Sequence, residues 1–225
     1  MKKQISLLLF SLFTTYCLGQ FDAFGIKSGI GLSNQYVHIF TWTPGDYSYW
    51  NDNKVGWSAQ LFGEKKFGNH LVLQPAIGYI QKGYSANHAI IHSIADSLTV
   101  KSDQVVLHYF SIDLTARWVR NDWRLKPYLI GGLRFNRILG NRQVLVRYLG
   151  ETYEMAIANI NGYNKFTLGA VVGIGIHLGK YYFLDFEFNP DLTKCFKDDV
   201  MLLSNQYAGI TVGIYLDDFN KKRST

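Results

Sequence analysis

The chain has 225 residues, 48% of them hydrophobic, a formal net charge of +6 and two cysteines; this length fits one ordinary domain. Its 15 Tyr, 15 Phe, 5 Trp and 21 Gly against 4 Pro, at a mean hydropathy of −0.03, suit strands better than helices. Lys and Arg are scattered, with no denser cluster than Lys221-Lys222-Arg223, so no nucleic-acid partner is expected and the surplus positive charge suits acidic lipid headgroups.

In chain order, Lys2 and Lys3 precede an apolar run over 5–13, and Thr14-Thr15-Tyr16-Cys17-Leu18-Gly19 follows with small residues at Cys17 and Gly19. Residues 1–19 read as a cleaved signal peptide and Gln20 as the mature start. The run is too short for a transmembrane anchor, which needs about 20 apolar residues. Thr-Thr-Tyr before Cys17 also lacks the residues of a lipobox. Cleavage removes Lys2 and Lys3 without any acid, which lowers the charge from +6 to +4. It also removes Cys17, so Cys195 remains alone and no intramolecular disulfide can form.

Eight stretches of the mature chain alternate with a period of two, the signature of strands whose faces meet different surroundings. Over 23–34, Phe24, Ile26, Ile30 and Leu32 oppose Gly25, Lys27, Gly29, Gly31 and Ser33. Over 55–66, Val55, Trp57, Ala59 and Leu61 oppose Ser58, Gln60, Glu64 and Lys66. Over 71–82, Leu71, Leu73, Ile77 and Tyr79 oppose Gln74, Gly78 and Lys82, with Pro75 predicting a bulge or distortion because it cannot donate to a ladder. Over 105–118, Phe110, Ile112, Leu114, Ala116 and Trp118 alternate with Ser111, Asp113, Thr115 and Arg117. Over 127–137, Leu129, Leu133 and Phe135 face lipid while Tyr128, Arg134 and Asn136 face in.

The stretch 165–178 is the clearest: every even-numbered residue from Phe166 to Leu178 is apolar, and the odd ones are Thr167, Gly169, Val171, Gly173, Gly175 and His177. Such a strand, of about 10 residues or more, crosses a bilayer when tilted. Over 181–189, Tyr182, Leu184, Phe186 and Phe188 oppose Asp185, Glu187 and Asn189. Over 206–216, Ala208, Ile210, Val212, Ile214 and Leu216 oppose Tyr207, Gly209, Thr211, Gly213 and Tyr215.

Connections at 67–70, 119–126 and 179–180 are short, and those at 35–54, 83–104, 138–164 and 190–205 are long, in strict alternation. This predicts an all-β, eight-stranded antiparallel up-and-down transmembrane barrel in an outer membrane, spanning 20–216, with both mature termini periplasmic and a polar tail over 217–225. Phe67, Trp118 and Tyr182 at the turn end and Trp57, Tyr79, Phe166 and Phe188 at the loop end supply two aromatic girdles. The rival is a soluble lipocalin-type barrel, which would turn the apolar face inward.

The segments Pro127-Tyr128-Leu129-Ile130-Gly131-Gly132-Leu133, 165–179 and Tyr182-Phe183-Leu184-Asp185-Phe186-Glu187-Phe188 resemble the small outer-membrane barrels of Bacteroidetes often labelled PorT-like. The resemblance covers about 22–216 and implies an OmpA/OmpX-type barrel. Some members assist a Bacteroidetes-specific secretion machinery, but no residue here matches that activity.

The inward-facing charges Lys27, Glu64, Asp113, Arg117, Arg134, Asp185 and Glu187, together with Lys66 and Lys82, read as a polar network, because an eight-stranded barrel has room only for side chains and buried charges must pair. An open pore is therefore not expected. Neutralising Asp113 is expected to strand Arg117 or another cation. Asp185 and Glu187 share a face, yet nothing beside them supplies a nucleophile or metal ligand. His88 and His92 would converge on a metal only in a helix, and Ser93 and Asp96 near His92 are a weak triad signal. The chain is read as a non-enzyme with no catalytic residue, metal or cofactor.

The segment 35–54 differs, since Tyr36, Phe40, Trp42, Tyr47, Tyr49 and Trp50 make an aromatic load suited to recognition. The functional expectation is an envelope scaffold, or an adhesion and binding surface formed by the outside loops. The alternatives are an accessory secretion subunit and, less favoured, a lipid-modifying or proteolytic barrel. Expected partners are outer-membrane lipid and other envelope or secretion proteins, with the chain itself a monomer.

Overall fold

The computed structural model describes residues 21–39, 47–85, 101–120, 125–148, 151–153, 163–197 and 201–218. The alternating stretches form strands β1 (Ala23–Ile39), β3 (Lys54–Phe67), β4 (Leu71–Ser85), β5 (Lys101–Val119), β6 (Pro127–Tyr148), β8 (Phe166–Leu178), β9 (Tyr182–Pro190) and β11 (Met201–Asp218). Three shorter strands, β2 (Tyr47–Trp50), β7 (Glu151–Tyr153) and β10 (Phe196–Lys197), pair onto β1, β6 and β11 at the loop end.

Each long strand lies antiparallel to the next, in the order β1-β3-β4-β5-β6-β8-β9-β11, and β11 returns to β1 in a register running from Ala23↔Asp218 to Ile39↔Met201. The eight-stranded antiparallel barrel expected from the alternation is thus present and closed. Closure removes every sheet edge along the barrel wall, the condition for strands to stand in hydrocarbon.

The faces follow the pleat. Ile30, Val55, Leu114, Val172, Ile174 and Val212 stand exposed on the outside, while Lys27, Asp113, Arg117, Arg134 and Asp185 are buried inside. A lipocalin-type barrel would show the opposite. Gly68 (φ 66°) and Gly179 (φ 75°) provide the left-handed turns between β3 and β4 and between β8 and β9, a conformation open to glycine because it lacks a Cβ.

The strands overrun the expected boundaries at the loop end. Residues 35–39, 83–85, 101–104, 138–148 and 201–205, assigned to loops from the sequence, continue β1, β4, β5, β6 and β11. The long connections are correspondingly shorter, because the backbone ladder continues after the lipid-facing stripe has ended. At the other extremity Asp217 and Asp218 belong to β11, paired with Phe24 and Ala23, and not to a polar tail.

The distortion expected at Pro75 takes a mild form. Pairing between β3 and β4 skips Gly63 and Glu64 and resumes at Lys65↔Leu73 in the same register. The Glu64 carbonyl instead accepts the Asp22 N–H at 2.7 Å. Bulges occur elsewhere, between Phe24 and Gly25 against β11 and between His108 and Tyr109 against β6.

Candidate functional site

The lumen holds two ion-pair clusters stacked along the barrel. At mid-height Arg134, on β6, donates from Nε and Nη2 to both oxygens of Asp113 on β5, at 2.7 and 2.6 Å. The same Nη2 donates to Glu187 on β9 at 3.0 Å. Lys27 on β1 lies 3.2 Å from Glu187 and 3.9 Å from Asp113. Gln60 adds a hydrogen bond to Asp113 at 2.8 Å. The planar guanidinium suits this arrangement, since its fixed fork matches a carboxylate bidentately and leaves a donor for a second acid. Two cations face two anions, and four strands are tied across the lumen.

Toward the turns, Arg117 on β5 bridges Glu64 on β3 at 2.8 Å and Asp185 on β9 at 2.7 Å. Its guanidinium also lies over the rings of Phe183, at 4.2 Å, and Tyr128, at 4.8 Å, an attractive contact for a cation withdrawn from water. Gln74 and the Tyr215 hydroxyl donate to Glu64 Oε1 at 3.0 and 2.8 Å, and the Tyr128 hydroxyl donates to Asp185. Here one cation faces two anions. Phe62, Val72, Tyr128 and Phe183 pack around the triad as an inner apolar cluster.

Eight of the nine charges singled out from the sequence therefore lie buried in the lumen: Lys27, Asp113, Arg134 and Glu187 in one set, Glu64, Arg117 and Asp185 in the other, and Lys82 apart from both. The cation that Asp113 neutralises is Arg134, not Arg117. Asp185 and Glu187, on one face of β9, are engaged by different cations. Lys66 shares the inward parity but is exposed at the turn-end mouth, one residue before the end of β3.

A third pair joins one charge expected to face inward, Lys82, to one that sequence reasoning misses, Asp191. Lys82 lies 2.8 Å from Asp191, with both side chains fully buried, and Asn205 donates to Asp191 and to the Tyr109 hydroxyl. Asp191 sits after the last residue of β9, outside any alternating stretch, so parity gives no signal for it. Beside it, Gln35 donates to Cys195 Sγ at 3.3 Å, and Cys195 Sγ donates to the Leu203 carbonyl. Burial, reinforced by the neighbouring Asp191, pushes the Cys195 thiol up to about 12. It remains protonated and unreactive near neutral pH.

At the loop end the segment 35–54 contains a β-hairpin arm, with Tyr36↔Trp50 and Val37↔Tyr49 paired between β1 and β2. The rings of Tyr36 and Trp50 lie 4.8 Å apart, and Trp50 is exposed. Tyr47 and Tyr49 are placed by their backbone in β2. Phe40 and Trp42 lie outside the described residues, as do His88, His92, Ser93, Asp96, the signal segment 1–19 and the tail beyond Asp218. Among the described residues no group of three or more His, Cys, Asp or Glu could hold a metal ion.

The barrel is similar in fold to several solved outer-membrane proteins. Neisserial surface protein A is 16% identical, with 85% of this chain and 96% of that one covered and a TM-score of 0.43. Ail, the attachment invasion locus protein of Yersinia pestis, is 12% identical over 85% of this chain and 99% of its own, at a TM-score of 0.37. The N-terminal barrel domain of Pseudomonas aeruginosa OprF is 12% identical over 87% and 99%, at 0.36. No curated protein matches in sequence. The family described as outer membrane protein beta-barrel domain matches residues 20–197, and the chain belongs to it.

Proposed function

We propose that this protein is a non-enzymatic outer-membrane barrel with a sealed lumen, which anchors in the envelope and acts through a binding surface at its loop end. The observation that carries the reading is the pair of buried ion clusters. They link β1, β3, β5, β6 and β9 across the interior at mid-height and below, where a conducting channel would need water. The barrel is then an anchor, and the recognising chemistry falls to the hairpin arm bearing Tyr36 and Trp50. Aromatic rings of this kind supply large contact area at low entropic cost. On this reading the turns and both termini are periplasmic, the loop end is outside, the partners are lipid and envelope proteins, and the chain is a monomer.

The test is reconstitution into planar bilayers, where no conductance steps are expected; discrete steps would refute the sealed lumen. Recovery in the detergent-insoluble envelope with heat-modifiable gel migration is expected, and release in osmotic-shock fluid would refute the membrane placement. The resemblance to PorT-like barrels supports a second role, accessory to a secretion machinery. Co-purification of a large complex from the native envelope would favour it over adhesion. Altered lipid A on overexpression would instead favour an enzyme.

A further inference from the structure

At the turn end the lumen opens into a vestibule of about 390 Å³. Three lysines line it, each from a different short connection: Lys66 beside the β3–β4 turn, Lys126 before β6, and Lys180 in the β8–β9 turn. All three are exposed. Deeper in stand His177, Tyr215 and Glu64, the last only 3% exposed. Glu64 belongs to the cluster in which one arginine faces two carboxylates, so the vestibule has a negative floor and a positive rim. The donors from Gln74, Arg117 and Tyr215 all go to Oε1 of Glu64, and none of the three engages Oε2. Near the rim, Asp22 accepts the Lys66 backbone N–H and pairs with Lys65.

A simple anion would meet the lysines but be repelled by the floor, and a simple cation would be stopped at the rim. A ligand with a cationic tip and an anionic group a few bonds behind it satisfies both. We propose that the vestibule binds a primary-ammonium phosphate, the phosphoethanolamine group, with its ammonium at Glu64 and its phosphate among Lys66, Lys126 and Lys180. Lysine suits the outer half as a mobile point charge for phosphate, and a carboxylate backed by a buried anionic cluster suits the inner half as an acceptor for N–H donors. Phe67 and Tyr182, next to the rim lysines and lipid-facing, set the vestibule at headgroup level. The group can therefore come from a phosphatidylethanolamine headgroup folded over the rim or from a soluble phosphoethanolamine.

The experiment is calorimetric titration of O-phosphoethanolamine into the whole protein in a non-ionic detergent. Binding is expected, with phosphocholine and inorganic phosphate weaker by about tenfold or more, since one has no N–H to give Glu64 and the other no cation. The K66Q/K126Q/K180Q variant should lose binding, and E64Q should lose the preference over inorganic phosphate. Because Glu64 also holds Arg117, the lysine variant carries the test if E64Q fails to fold. Nanodiscs containing phosphatidylethanolamine, against phosphatidylcholine alone, identify the source: competition with the soluble probe assigns the lipid headgroup, and its absence assigns the free compound. No binding of O-phosphoethanolamine, or equal binding of inorganic phosphate, overturns the proposal. Neither result bears on conductance, so the sealed-lumen reading stands or falls separately.

Discussion

The two halves of strand β1 obey opposite rules on one continuous pleat. Below Ser33 its outward side chains are Ile26, Ile30 and Leu32 and its inward ones include Lys27; above, the outward ones are Asn34, Tyr36 and His38 and the inward ones Gln35 and Val37. Strand β11 inverts in the same way, with Ile210 and Val212 outward and Thr211 inward below, and Ser204 and Gln206 outward and Leu203 and Tyr207 inward above. The upper part resembles a water-soluble barrel in turning polar side chains outward, and it packs Ile80, Val105, Leu107, Tyr109, Ile138 and Tyr207 inside, around the buried Lys82–Asp191 pair. The lower part is apolar toward its surroundings and carries both ion clusters within, beside an inner apolar cluster of its own. On β1 and β11 parity runs through unbroken, so the exchange of poles reflects a change of surroundings, and on the membrane reading proposed above its level is the membrane boundary.

The largest effect expected on this contrast comes from the ionic half. Arg117→Ala should cost about 3–5 kcal/mol, because Glu64 and Asp185 would remain buried without their cation. Reversible unfolding in lipid vesicles measures this, and neutralising both acids as well should restore much of the loss. In the upper half, Leu107→Ala removes packing from an apolar core and should cost about 2–5 kcal/mol. That loss should be the same in vesicles and in detergent, since the part affected stands in water. Ile174→Arg, at mid-height on the outer face, should cost about 2–4 kcal/mol. Gln206→Arg, outward by the same parity but above the boundary, should stay within about 0.5 kcal/mol. Equal penalties at the two sites would erase the boundary. The mildest test is chemical: with its thiol pushed up by burial, Cys195 should resist iodoacetamide at about pH 8 in the folded protein and react once the protein is unfolded.

The lower half was legible in the sequence because its alternation has two strong poles, aliphatic or aromatic against Gly, Lys, Asp, Glu and Arg. From Phe166 to Leu178 that contrast holds at every step. The upper half escaped for a physical reason: at Ser33 and Tyr207 the poles exchange, and a stripe followed by its chemistry stops although the ladder does not. Val105-Val106-Leu107, three buried residues in succession, carry no alternation at all. The inward position of Asp113 or Arg134 follows from parity, but their partnership also requires the neighbour and stagger of each strand. Register is fixed by turns and bulges, and a one-residue slip exchanges every face. Asp191 and Cys195 lie outside the alternating strands, so their place in the upper lumen follows from tertiary packing alone.

The seam between β1 and β11 joins Ala23–Ile39 to Met201–Asp218, so the first strand to emerge from the ribosome waits for the last. Until then both strands present rows of unpaired N–H and C=O groups, which hydrocarbon cannot satisfy. No smaller set of strands is a stopping point within the bilayer. Crossing and closure must accordingly proceed together, at a rate limited by the most distant contact along the chain. A chain that lacked β11 would leave β1 with a long unpaired edge, the kind of template on which other strands aggregate.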